Sequence, residues 1–209
     1  MGAEQGEKPV YVTPGFLKNF LGILSDPDAS FIEVGRMLVT QPYLVAHLLR
    51  VANMRCEDCG SLAKPKSVNG ILIKLGIYNI VEACKIAEDV PPADYASFRS
   101  KTIDTYSLAV VLSELAERRL GRFAAPDFFL VGLLSVVVPQ SDIFLDFCHE
   151  EIFEHFKGTP QLGHPTIPEA LTLVGDFRRN VSTEHAEVMA KWKAARERAR
   201  EAIDNLTKF

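Results

Sequence analysis

The chain has 209 residues, is 47% hydrophobic and 24% charged, and carries a formal net charge of −4. That length suits one large domain or two small ones, and that apolar supply fills a real core, which excludes global disorder. A negative chain exerts no long-range attraction on phosphate backbones, so nucleic acid is not an expected partner, and no apolar run reaches the ~20 residues that span a bilayer.

Thr13-Pro14 predicts the first helix start, a capping hydroxyl followed by proline at the first helical position. Phe16, Leu17, Phe20, Leu21 and Leu24 give that helix an apolar face, and Ser25-Asp26-Pro27-Asp28 ends it. Ser30 and Glu33 stand at capping-box spacing for the second helix, with Asp28 as the alternative cap. Phe31, Val34, Met37 and Leu38 are its expected buried side. Pro42 opens a third helix through about Met54, with Leu44, Leu48 and Val51 on one face. Residues 55–66 are polar, contain Gly60 and Pro65, and read as a loop. Ser67 caps a short helix holding Ile71, Ile73 and Leu75; Gly76 permits a turn, and residues 77–90 continue helical. Pro91-Pro92 is the clearest internal boundary.

A long helix is expected from Tyr95 to Leu120, ended by Gly121. Ala125-Pro126-Asp127 starts an apolar segment that runs to Val138 and is interrupted by Pro139. Ser141 or Asp142 caps a helix through Phe156, and residues 157–166 read as loop. A short helix follows over Pro168 to Phe177, and the last runs from about Thr183 to near the end. No strand alternation is visible. The expected class is all-α: a multi-helix bundle over residues 14–178, with a charged C-terminal helix, residues 179–209, packed on it or used for association.

The candidates for chemistry are few. Cys56-Glu57-Asp58-Cys59 has Cys-x-x-Cys spacing, but no second pair completes a zinc set, and its acidic neighbours disfavour a thiolate. Cys148, Glu151 and His155 share a helical face, yet Phe144, Phe147, Ile152 and Phe156 surround them, as on a half-buried helix. His47, between Ala46 and Leu48, reads as a core-edge histidine. Gly15 and Gly22 lie in a helical pattern and form no phosphate cradle. No metal, cofactor or catalytic residue is expected. Four cysteines suit a reducing compartment, and the first residues lack a secretory pattern, so the expected location is the cytoplasm.

The last helix carries the strongest binding signal. Val181, His185, Val188, Trp192, Ala195, Ala199, Ala202 and Leu206 alternate spacings of four and three, a coiled-coil-like stripe. Within it Val188, Trp192, Ala195, Ala199 and Leu206 are the candidate interaction residues, for docking on the same domain, on a second copy of the chain, or on a partner helix. Glu187 and Lys191 are spaced for an i, i+4 ion pair along the helix.

The stretch from Phe16 to Ala87 resembles the N-terminal part of an HDOD domain, the HD-related output domain of bacterial signalling proteins. The resemblance rests on Leu24-Ser25-Asp26-Pro27-Asp28-Ala29-Ser30, on Gln41-Pro42-Tyr43-Leu44, on Leu48-Leu49-Arg50-Val51-Ala52-Asn53, and on Ser67-Val68 and Leu75-Gly76. It continues through Thr105-Tyr106-Ser107-Leu108-Ala109-Val110 and Gly132-Leu133-Leu134. Tyr106 stands where the family often has histidine, and Ser135-Val136 where a His-Asp pair is expected. A hydroxyl and an isopropyl group do not replace imidazole and carboxylate as ligands. The resemblance therefore implies a regulatory module of signal transduction that has lost its metal ligands, binds other signalling proteins and is not an enzyme. Two rivals stay open: a degenerate metal-dependent phosphohydrolase acting on nucleotides or cyclic dinucleotides, and a small-molecule sensor with an apolar pocket between helices.

Overall fold

The computed structural model of the chain describes residues 9–58, 65, 67–135, 166–179 and 185–206. In chain order these form β1 (Val10–Val12), α1 (Phe16–Leu24), α2 (Phe31–Leu38), α3 (Pro42–Asp58), α4 (Val68–Ala83), a 3₁₀ turn (Cys84–Ile86) and β2 (Ala87–Asp89). There follow α5 (Tyr95–Leu120), α6 (Ala125–Leu134), α7 (Thr166–Arg178) and α8 (Ala186–Leu206). The architecture is all-α, as expected, with two three-residue strands added. The helix expected over residues 141–156, with Cys148, Glu151 and His155, lies outside the described residues, as do Val136 and Cys59.

Local chemistry sets several helix ends where the sequence announces them. Ser30 Oγ accepts from the Glu33 N–H at 3.2 Å while the Glu33 carboxylate accepts from the Ser30 N–H at 3.2 Å, the reciprocal box that starts α2. Ser67 Oγ accepts from the Gly70 N–H at 3.0 Å and starts α4. Gly76, at φ 70° and ψ 161°, breaks α4 into two arms at the expected turn. Gly121 ends α5 with φ 90°, a region closed to most side chains.

Elsewhere tertiary contacts override the local signal. Thr13 does not cap α1. Its N–H donates to Gln41 Oε1 at 2.9 Å, and its hydroxyl accepts from Gln41 Nε2 at 3.0 Å. Both residues are fully buried, so each satisfies the other, and the helix begins after Gly15 with no side-chain cap. The loop expected from Arg55 starts later, because α3 runs on to Asp58. The helix expected to reach Val90 stops at Ala83. Beyond the 3₁₀ turn, β2 pairs in parallel with β1, with Val10 opposite Ala87 and Val12 opposite Asp89. The Val90 N–H extends the ladder to the Val12 carbonyl at 2.9 Å. Three residues are too few to show a period-two pattern, which hid both strands.

The core has two main parts. Phe16, Phe20, Leu38, Leu48, Ile71 and Leu72 anchor the first, formed by α1 to α4. Each fully buried side chain of this kind contributes about 1.5–3 kcal/mol. Leu112, Leu115, Phe177, Val188 and Trp192 belong to the second, where α5 and α6 meet α7 and α8. α5 and α6 join the two: Leu133 and Leu134 face the first, Phe128 and Val131 the second. Ala109 sits in the first part and Val111 in the second, on different faces of α5.

Candidate functional site

Two of the positions where the resemblance places metal ligands, Tyr106 and Ser135, carry side chains engaged within the chain. Tyr106 is half-buried on α5, and its ring meets Phe129 edge to face, at 6.0 Å between centroids and 86° between planes. Ser135 closes α6, and its hydroxyl donates to the Gly132 carbonyl at 2.7 Å. A phenol held by its ring edge and a hydroxyl committed to the backbone do not fit a divalent cation that needs imidazole and carboxylate donors. Among the described residues no three His, Cys, Asp or Glu side chains gather at a site suited to a metal ion. Asn53, in the quoted stretch of α3, is 3% exposed, and its amide has no hydrogen-bond partner among the described residues.

The C-terminal stripe is buried within the chain. Val188, Trp192, Ala195, Ala199 and Ile203 of α8 are all buried, on a helix laid along α5. The steps along this stripe are four, three, four and four, so Ile203 takes the place expected for Ala202, and Leu206 is only half-buried. That rhythm follows a straight helix and not a heptad seam. The small side chains of Ala195 and Ala199 let α8 lie close to its neighbour. Trp192 packs on Phe177 with ring centroids 5.6 Å apart, and the Arg196 guanidinium lies 5.1 Å over the indole.

The charges of α8 form an antiparallel ladder with α5. Arg118 pairs with Glu187 at 2.7 Å, Glu114 with Lys191 at 2.5 Å, Asp104 with Arg196, and Arg99 with Asp204. The last is bidentate, with 2.8 and 2.7 Å contacts, and the carboxylate raises the Arg99 pKa further. Glu187 and Lys191 therefore pair across to α5 in place of the expected pair along α8. The signs run plus, minus, minus, plus from Arg99 to Arg118 on α5 and minus, plus, plus, minus from Glu187 to Asp204 on α8, so a one-turn slip that brings Glu114 to Glu187 or Arg118 to Lys191 sets like charges opposite each other.

The remaining sequence candidates are dispersed. His47 is half-buried, with Nε2 3.1 Å from the Ala83 carbonyl, the core-edge setting expected for it. Cys56 falls in the last turns of α3. Cys84 is buried, and burial pushes its thiol up to about 12, the state of an inert packing group.

An unanticipated feature stands on α4. Ile73 is 71% exposed, Ile77 45% and Tyr78 74%. Ile71 and Leu75 share the buried side one turn apart, and the spacing of Ile73 from both placed it opposite, a signal available in the sequence. No helix among the described residues is long and apolar enough to cross a membrane. Comparison with protein-family models, with curated proteins and with solved structures finds no match to this chain.

Proposed function

We propose that this chain is a non-catalytic regulatory module that acts in the cytoplasm by binding another protein, as its resemblance to HDOD output domains implies. The observation that carries the reading is the exposure of three large apolar side chains on α4, Ile73 on the arm before Gly76 and Ile77 and Tyr78 on the arm after it, while Ile71, Leu72, Leu75 and Ile80 of the same element are buried. The uses found for Tyr106 and Ser135, ring packing and a backbone hydrogen bond, support the non-catalytic part. The stripe of α8 lies against α5 within the same chain, so the partner-facing surface in this proposal is α4. Other signalling proteins are the proposed partners, with a second copy of the chain as the simplest special case.

The test compares the wild-type chain with Ile73→Ser/Tyr78→Ser as bait in extracts of the native host, alongside sedimentation of each alone. Both positions are exposed, so circular dichroism and melting should be unchanged. A partner, or a self-association, that binds wild type and is lost in the variant supports the reading. Capture and sedimentation that do not respond to the variant sink it.

A further inference from the structure

A groove of about 380 Å³ opens between α2, the first turn of α4, the last turns of α5 and the start of α6. Arg36, Arg122 and Glu117 line it, together with Ser67, Asn69 and the ring of Phe129. Most described arginines of α5, α7 and α8 are matched to carboxylates, among them Arg99, Arg118, Arg119, Arg178 and Arg196. Arg36 and Arg122 have no ion pair among the described residues. The Arg122 guanidinium instead lies 5.0 Å over the Phe123 ring. Stacking uses the flat face of the guanidinium and leaves its in-plane N–H donors turned outward.

The floor adds to the same field. Ser67 Oγ takes only the Gly70 N–H at the start of α4, so the N–H groups of Val68 and Asn69 have no acceptor among the described residues. The first arm of α4, residues 68–75, thus presents its positive end beside two guanidiniums that have no ion pair among the described residues. Glu117 is the single carboxylate among the described lining residues, which leaves that described lining net positive on a chain of net charge −4. The same carboxylate and the negative whole work against a long polyanion and tolerate a compact one. Phe129 supplies an apolar wall.

We propose that this groove binds a small phosphorylated ligand the size of a nucleoside monophosphate. Arg36, Arg122 and the first turn of α4 hold the phosphate. Phe129 takes the ring, and the Glu117 carboxylate accepts a hydrogen bond from an amino or hydroxyl group of the ligand. The site does not involve the α4 residues proposed above for partner binding, so either reading can fail alone.

Calorimetry on the full chain with AMP, GMP, CMP, UMP and inorganic phosphate tests it. At least one nucleotide should bind at one-to-one stoichiometry, more tightly than inorganic phosphate. Arg36→Gln and Arg122→Gln should each weaken it about tenfold or more, as loss of a charge-assisted contact does. Glu117→Gln should reorder the four nucleotides. Both arginines are exposed, so melting should be unchanged and loss of binding will not reflect unfolding. No binding of any of the four nucleotides overturns the proposal. So does binding indifferent to both arginine variants, or binding of inorganic phosphate as tight as of any nucleotide, the mark of an unspecific anion patch.

Discussion

Gly132 of α6 lies directly against the backbone of Ala109 in α5: a Cβ added at Gly132 would sit 2.8 Å from the Ala109 nitrogen and closer still to its Cα. Backbone cannot give way as a side chain can. α6 can approach α5 this closely only because residue 132 has no side chain, and this crossing joins the two parts of the core.

Gly132→Ala is therefore expected to destabilise the fold by about 1–3 kcal/mol, the usual penalty of overpacking. The gain in helix propensity, about 1 kcal/mol, offsets only part of it. Urea unfolding followed by circular dichroism checks the value. Gly22→Ala is the control, since a Cβ there meets nothing within 4 Å, and it should be neutral or stabilising.

Trp192 is the single tryptophan of the chain and is 6% exposed. Its emission should be blue-shifted in the native state and move red in one step as α8 leaves α5. Trp192→Ala is expected to cost about 3–5 kcal/mol, because Phe177 and Arg196 lose the surface they pack on. Thermal unfolding of the variant measures it.

The Arg99–Asp204 pair is bidentate, but its side chains are 30% and 45% exposed. A double-mutant cycle with Arg99→Met and Asp204→Asn should give a coupling of only about 0.5–1 kcal/mol, falling in 1 M salt. The larger effect should come from register. Reversing Arg118 to Glu while keeping Glu187 places two carboxylates together and should lower stability further than Arg118→Ala, with the difference abolished by Glu187→Arg.

How much of this was legible depended on whether a residue's partner lay nearby in the sequence. Ser30 and Glu33, Ser67, Gly76 and Gly121 act within a turn or two of themselves, and their roles were readable. Thr13 misled because its partner, Gln41, is 28 residues away. β1 and β2 left no trace because their pairing joins residues 10–12 to 87–89. On α8 the apolar spacing was visible, but the choice of Ile203 over Ala202 depends on the surface of α5, around Ile103. The groove at Arg36 and Arg122 had no local signal, since four separate helices assemble it.

Cys84 gives a pH prediction with a definite sign. Its ordinary value is 9.0 and burial raises it to about 12. Between those values the unfolded chain releases the proton while the folded chain keeps it. The folded state binds more protons, so stability falls as pH rises through this window and is unaffected below it. Burial raises Tyr43 as well, which acts in the same direction from its ordinary 10.0 upward. The stability difference between wild type and Cys84→Ala should be flat up to pH 8 and change in favour of the variant above pH 9. Iodoacetamide should leave Cys84 unmodified in the native protein at pH 8 and modify it in urea.

The pairing of α5 with α8 has a bearing on how the polypeptide is made. At ribosomal speeds of about 5–20 residues per second, the stretch from Leu120 to Leu206 takes on the order of ten seconds to emerge. Throughout that interval Leu112, Leu115 and Ile103 have no α8 to cover them, while α1 to α4 already hold most of the groups they need. A nascent molecule of this kind is half finished and sticky on one flank. Its yield in the cell should therefore depend on holdase chaperones that shield that flank until translation delivers the last helix.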